Sequence, residues 1–153
     1  MKVSLHGLCV IDDQYFLDYP SVRHMSNKHE GRPYYLAVHE KDGIIWVVPL
    51  SSRVDKYGAK IKVDERKYGE CIFYIIAKIK GRESALLIGN AIPVTEAYIK
   101  KPFTVAGIPY IVENKQIVKE IKSKLSRYLA LVRKGKMKPA VDILAIEKKL
   151  LGK

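Results

Sequence analysis

The sequence predicts an α+β protein: an antiparallel sheet, or a small barrel, with helices packed beside it. Three observations carry this. Short apolar runs broken by Gly, Pro and Asp fill the chain up to about Asn114 of its 153 residues. After Asn114 the apolar period changes from two to about 3.6. Nowhere do strand and helix patterns alternate as a parallel βαβ fold requires.

In chain order, Val3, Leu5, Leu8 and Val10 alternate imperfectly and predict a first strand over residues 1–10. Asp12 or Asp13 then caps a short helix running to Tyr19, and Pro20 ends it. Tyr15 and Tyr19 share one face of that helix. Residues 21–30 (including Arg23, His24, Lys28 and His29) are polar and read as a loop. A hairpin follows, with strands at 33–40 and 44–50 and the turn at Lys41-Asp42-Gly43, because Asp-Gly suits positive φ between β-branched runs. Pro49-Leu50 opens onto Ser51-Ser52-Arg53-Val54-Asp55-Lys56-Tyr57, and residues 54–69 read as a charged stretch. Residues 71–79 are apolar almost throughout and predict a central strand. Gly81 turns the chain into a return strand at 84–87, and Gly89 and Pro93 mark a bend. Asn114 caps a long helix with Ile117, Ile121, Leu125, Tyr128 and Val132 on one face, stopping at Gly135. Pro139 suits the first turn of a last helix with Ile143, Ile146 and Leu150 along one side. No repeat or linker divides the chain, so residues 1–153 read as one domain.

Composition narrows the function. There are 28 Lys and Arg against 16 Asp and Glu, a net charge of +12 with pI near 9.6. The charge is −1 over residues 1–31, +5 over 32–112 and +8 over 113–153, so the positive field begins at the hairpin and peaks at the C-terminus. A polyanionic partner fits, nucleic acid before membrane. No apolar run is long enough for a membrane span and the first residues lack a secretory h-region, which points to the cytoplasm. Cys9 and Cys71 are far apart and read as reduced, buried thiols.

Several chemistries lack their residues. There is no His-x-x-x-His, cysteine cluster or Asp-rich loop for a metal, and no Gly-rich phosphate or dinucleotide loop, so no cofactor is expected. His6, His24, His29 and His39 have no evident proton partner, and a solvated or hydrogen-bonded role is the simpler one. RNA, however, carries its own nucleophile. Cleaving it by 2′-OH attack needs cations near the phosphate, hydroxyl or amide donors, and a group that moves protons. Arg32 at the entry of the first hairpin strand, Ser51 and Ser52 at the exit of the second, and Lys56 supply those types. Antiparallel pairing brings the two strand ends together. A capping Ser-Ser turn beside a solvated lysine fits the same residues equally well.

The ordered pattern Arg32-Pro33-Tyr34-Tyr35, Pro49-Leu50-Ser51-Ser52 and Lys56, with residues 86–93 (LLIGNAIP) and the late helix pair, resembles the endoribonuclease toxins of type III toxin–antitoxin systems (the ToxN, AbiQ and CptN proteins), closest to the CptN branch. The resemblance spans essentially the whole chain. It implies an SH3-like β-barrel core related to the MazF and Kid toxins, with flanking helices. It also implies metal-independent RNA cleavage to 2′,3′-cyclic phosphate and 5′-hydroxyl ends. The partner implied is a repeat-derived pseudoknot RNA that the toxin processes and that inhibits it in a closed protein–RNA complex; the biological setting implied is phage defence or plasmid or chromosomal maintenance. Residue by residue, Ser51 and Ser52 match the family's hydroxyl pair, Arg32 its strand-entry cation, and Tyr15 a pocket tyrosine. Lys56 matches the catalytic lysine with a departure: the family's lysine comes two residues after the second hydroxyl, whereas Lys56 comes four after Ser52 and position 54 is Val54. Either Arg53 or Lys56 therefore supplies that charge. RNA contacts are expected from Lys28, Tyr34, Arg53, Tyr57, Arg133, Lys134, Lys136 and Lys138. The competing expectation is an SH3-like module that binds RNA without cutting it.

Overall fold

The computed structural model describes residues 3–25 and 32–152; Lys28 and His29 lie outside them. The α+β class holds. Strand β1 (Leu8–Ile11) leads into helix α1 (Asp13–Asp18), and a 3-10 turn (Pro20–Met25) follows. The hairpin is β2 (Tyr34–His39) and β3 (Ile45–Ser51), succeeded by helix α2 (Val54–Tyr68). Next come β4 (Tyr74–Ile79), β5 (Arg82–Leu87), a 3-10 turn (Ile88–Asn90) and β6 (Ile92–Val94). After β7 (Ile99–Pro102) a small ribbon, β8 (Thr104–Val105) and β9 (Ile108–Pro109), precedes α3 (Lys115–Arg133) and α4 (Ile143–Leu150).

The sheet is antiparallel in the order β4-β5-β3-β2-β1-β7, with β6 also on β3. Among the described residues no pairing joins β4 to β7, so the strands form an open sheet and not a closed barrel. β3 is its spine: one edge pairs with β2 throughout, and the other pairs with β6 at Ile45–Val47 and with β5 at Leu50 and Ser51. The 3-10 turn between β5 and β6 lets one length of chain follow β3 while turning away from its middle. Ile44 to Val48, Trp46 included, are wholly buried, which explains the continuous apolar run.

Local chemistry sets the boundaries. Val3 to Gly7 is not strand: Gly7 N–H bonds back to Ser4 O, and a Cβ on Gly7 would stand 2.9 Å from that oxygen. Asp12 caps α1 by accepting from Gln14 N–H. The hairpin turn is a three-residue one: Gly43 N–H bonds to Glu40 O, Ile44 N–H to Asp42 Oδ1, and only Gly43 takes positive φ (95°). Asn114 caps α3 through Gln116 and Ile117, and Ile121, Leu125, Tyr128 and Val132 are buried as predicted. The last helix begins at Ile143 with Asp142 as its cap, not at Pro139.

The charged stretch and the central strand differ from their sequence reading for one reason. Residues 54–68 are a helix, and the apolar strand 74–79 lies at an end of the sheet, pairing with β5 alone among the described strands. α2 packs on β4, so Tyr74 and Ile76 on its second face are half-buried, only Lys78 there is exposed, and the strand reads like a central one. α2 itself buries no residue completely, and Gly58 and Asp64 interrupt its inner row of Val54, Tyr57 and Ile61. The periodicity that marks α3 is therefore absent from it. α3 packs on the Ile88–Asn90 turn and β2, α4 on β6. Among the described residues no helix is long and apolar enough to cross a membrane. Cys9 and Cys71 are buried free thiols, Cys9 pushed up to about 12 by burial.

Candidate active site

The β2–β3 register fixes the site. Tyr34 pairs with Pro49, and Leu50 N–H bonds to Pro33 O at 3.1 Å, so the next step outward sets Arg32 across from Ser51. On the other edge Ser51 pairs with Ala85, which brings Ser52 level with Ser84. Ser84 and Arg82, two apart on β5, project to the same face. α2 starts immediately afterwards: Arg53 is its N-cap residue and gives its backbone N–H to Ser51 Oγ at 3.2 Å. Three strand ends and the positive end of one helix thus meet.

They enclose a cavity of about 280 Å³ lined by Arg32, Pro33, Leu50, Ser51, Ser52, Arg53, Tyr57, Lys80, Arg82 and Ser84. Four of these carry positive charge, four carry hydroxyls (three serines and Tyr57), and none is acidic. Ser84 is the one fully buried polar residue among those described. The arrangement suits a phosphodiester: cations for its non-bridging oxygens, hydroxyls as donors, and an aromatic ring at the wall.

Lys80 is held unusually firmly for a lysine. Lys80 and Gly81 form the two-residue β4–β5 turn, both at positive φ (58° and 78°). Such a φ strains a side-chain-bearing residue. The Lys80 N–H donates to Tyr110 Oη at 2.9 Å, and its ammonium stands 4.6 Å from the centroid of the Phe103 ring. Burial, and then the neighbouring Arg82 charge, pull its pKa below the ordinary value.

The sequence-predicted residues divide. Arg32, Ser51, Ser52, Arg53 and Tyr57 meet in the cavity. Lys56 does not line it; it is exposed on the first turn of α2 with its ammonium 5.2 Å from the Tyr57 ring centroid. Tyr15 is wholly buried, donates its hydroxyl to Pro93 O at 2.7 Å and packs against Phe16, Tyr19 and Tyr98. Tyr34 is equally buried, so neither ring presents a face to a base. Burial raises both their pKa values, helped at Tyr15 by the neighbouring tyrosines and opposed at Tyr34 by Arg32. Arg133 is clamped to both carboxylate oxygens of Glu147 at 2.9 Å, whereas Lys134, Lys136 and Lys138 are exposed. His6 bonds to Tyr35 Oη and His39 is exposed at the far end of the hairpin, so neither reaches the cavity.

Sequence reasoning missed Lys80, Arg82 and Ser84. The signal was there: a Lys-Gly turn followed by Arg and Ser at period two predicts basic and hydroxyl groups on one face of the second hairpin. What the sequence does not display is that β5 pairs with the end of β3. Among the described residues no three His, Cys, Asp or Glu side chains gather as a metal site.

No protein-family model and no curated protein matches the chain. Solved structures do. The lactococcal anti-phage endoribonuclease AbiQ, of a type III toxin–antitoxin system, superposes with a TM-score of 0.66 at 16% identity, covering 94% of each chain. A chain from a bacterial type III system, whose toxin is selectively inhibited by a non-coding RNA pseudoknot, gives 0.62 at 18% identity, covering 95% of this chain and 96% of that one. A chain from a bacterial antiviral system regulated by a processed non-coding RNA gives 0.60 at 16%, covering 94% and 96%. The protein thus has the fold of the type III toxin–antitoxin toxins.

Proposed function

We propose that the protein is the toxin of a type III system, an endoribonuclease whose centre is the cavity between Arg32, Ser51, Ser52 and Lys80. The observation that carries this is the cavity itself: four cations and three serine hydroxyls, with the Tyr57 phenol and without an acid, at the end of a hairpin in this fold. The core is of the SH3-like type, opened and elaborated by α2. Cleavage proceeds without a metal. The 2′-OH loses its proton and its oxygen bonds to phosphorus, while the bond to the 5′-oxygen breaks and that oxygen takes up a proton. The products are a 2′,3′-cyclic phosphate and a 5′-hydroxyl.

Arg32, Arg53 and Arg82 neutralise the extra charge of the phosphorane. Ser51 and Ser52 donate to its oxygens. Lys80 moves a proton, because an amine held below its ordinary pKa is neutral more often near physiological pH. Lys56 acts through Tyr57, whose ring stacks a base beside the scissile bond. Tyr15 supports the site from the core. Lys134, Lys136 and Lys138, with the exposed lysines of α3, hold the backbone of an inhibitory pseudoknot RNA, which the enzyme trims from a repeat precursor and with which it forms a closed complex.

Expression without that RNA tests this. Growth arrest is expected from the wild type and not from Arg32→Ala or Ser52→Ala. Harmless wild-type expression with intact cellular RNA contradicts it and favours a non-cutting RNA-binding module.

A further inference from the structure

A second depression adjoins the cavity, between α2 and the start of β4. It encloses about 450 Å³ and is walled by Lys60, Val63, Asp64, Tyr68, Phe73 and Tyr74. Tyr68 is the most exposed large apolar side chain among the described residues, at 72%, and Val63 is 40% exposed. The groove exists because α2 lies on the sheet without sinking any side chain fully into it. A ring pair joins it to the cavity: Tyr57 lines the cavity, Tyr74 lines the groove, and their centroids are 5.0 Å apart. The Lys60 ammonium stands 5.7 Å from each of these two rings, at the junction.

We propose that this groove is a nucleobase subsite, taking a guanine from the RNA strand that enters the neighbouring cavity. The occupant follows from the walls. Tyr68, Phe73 and Tyr74 offer ring faces, and every base has a face to stack. Lys60 stands at the groove, and α2 carries Lys56, Lys60, Lys62, Arg66 and Lys67 against Asp55, Asp64 and Glu65, a positive balance that suits a phosphate backbone and disfavours a cationic peptide. Asp64 then selects among bases. Its carboxylate oxygens line the groove and accept only from donors. Guanine alone presents two adjacent donors, N1–H and N2–H, to one carboxylate. The assignment rests on the RNA-cleaving function above, but binding can be read without cleavage.

The experiment uses labelled 2′-O-methyl oligonucleotides, which lack the attacking hydroxyl: oligo(U) with one central G, I or A, and oligo(U) alone. Fluorescence anisotropy with the full chain should give about tenfold tighter binding for the G oligomer, the size expected of one stacked, hydrogen-bonded base. Inosine, which lacks the N2 donor, should fall between G and A. Asp64→Asn should abolish the preference without weakening oligo(U) binding, whereas Tyr68→Ala should abolish the preference and also weaken oligo(U), since any base stacks on that ring; Tyr68 is exposed enough that its truncation spares the fold. Equal affinities for all oligomers, or a G preference that survives Tyr68→Ala, overturns the subsite. A protein that shows the preference yet cuts nothing refutes the nuclease and keeps the subsite. One that cuts RNA without the preference does the reverse.

Discussion

Single residues decide which groups act and which only support. Tyr15 and Lys80 are the sharpest pair. Tyr15→Phe removes the donor to a buried carbonyl and leaves Pro93 O unsatisfied; the cost is about 1–3 kcal/mol. For a chain of this length that lowers the melting temperature by very roughly 2–10 °C. RNA affinity and cleavage below the transition should stay at wild-type level, and a selective loss of cleavage would place Tyr15 in the chemistry. Lys80 gives the opposite pattern. Its pKa lies below 10.5, so the unfolded chain binds more protons than the folded one between the two values, and stability rises with pH across that window. Lys80→Met is therefore neutral or stabilising near neutral pH. Activity, in contrast, should climb with pH as the neutral amine forms and level off below pH 10.5. Lys80→Arg should keep RNA affinity but lose that climb, a split that steady-state kinetics against pH measures directly. An unchanged profile removes Lys80 from proton transfer. These distinctions were only half legible in the sequence. Arg32, Ser51 and Ser52 stood out because one hairpin carries them, whereas Lys80 and Arg82 belong to a second hairpin whose docking on β3 leaves no local trace.

At the level of elements, α3 and the hairpin were readable because their caps and periods agree: Asn114 bonds to two amides, and Asp42-Gly43 closes the turn. α2 was not, because its inner row is interrupted by Gly58 and Asp64 and none of it is fully buried. Its cover also made β4 look central. The helix ends carry a prediction about RNA as well. Arg133 spends its guanidinium on Glu147, tying α3 to α4, while the lysines of the following turn are exposed. Replacing Lys134, Lys136 and Lys138 together by Gln should weaken binding of a structured RNA by about tenfold or more at low salt and flatten its salt dependence by about three ions. Arg133→Gln should change affinity much less and instead cost up to about 1 kcal/mol of stability, as a partly exposed pair does. Filter binding across a salt series separates the two; equal losses would show that Arg133 leaves Glu147 for RNA.

Over the whole molecule, topology gathers part of the positive charge in one place. The +12 balance indicates a polyanion without saying which. The sheet order brings the ends of β2, β3 and β5 and the start of α2 to a single cavity with four cations. The barrel expected from resemblance appears as an open antiparallel sheet, since β5 turns away through Ile88–Asn90 and β4 ends under α2. The fold is shared with AbiQ, with a second type III structure and with a chain from an RNA-regulated bacterial antiviral system, across nearly the full chain at 16–18% identity. The most direct measurement is the chemistry of the cut ends: purified protein and RNA in chelator, with the termini mapped for wild type, Ser52→Ala and Lys80→Met. The cavity as described predicts 2′,3′-cyclic phosphate and 5′-hydroxyl ends from the wild type, and a loss of at least about a hundredfold in both variants. Ends bearing 5′-phosphate, or cleavage undiminished in both variants, would contradict it.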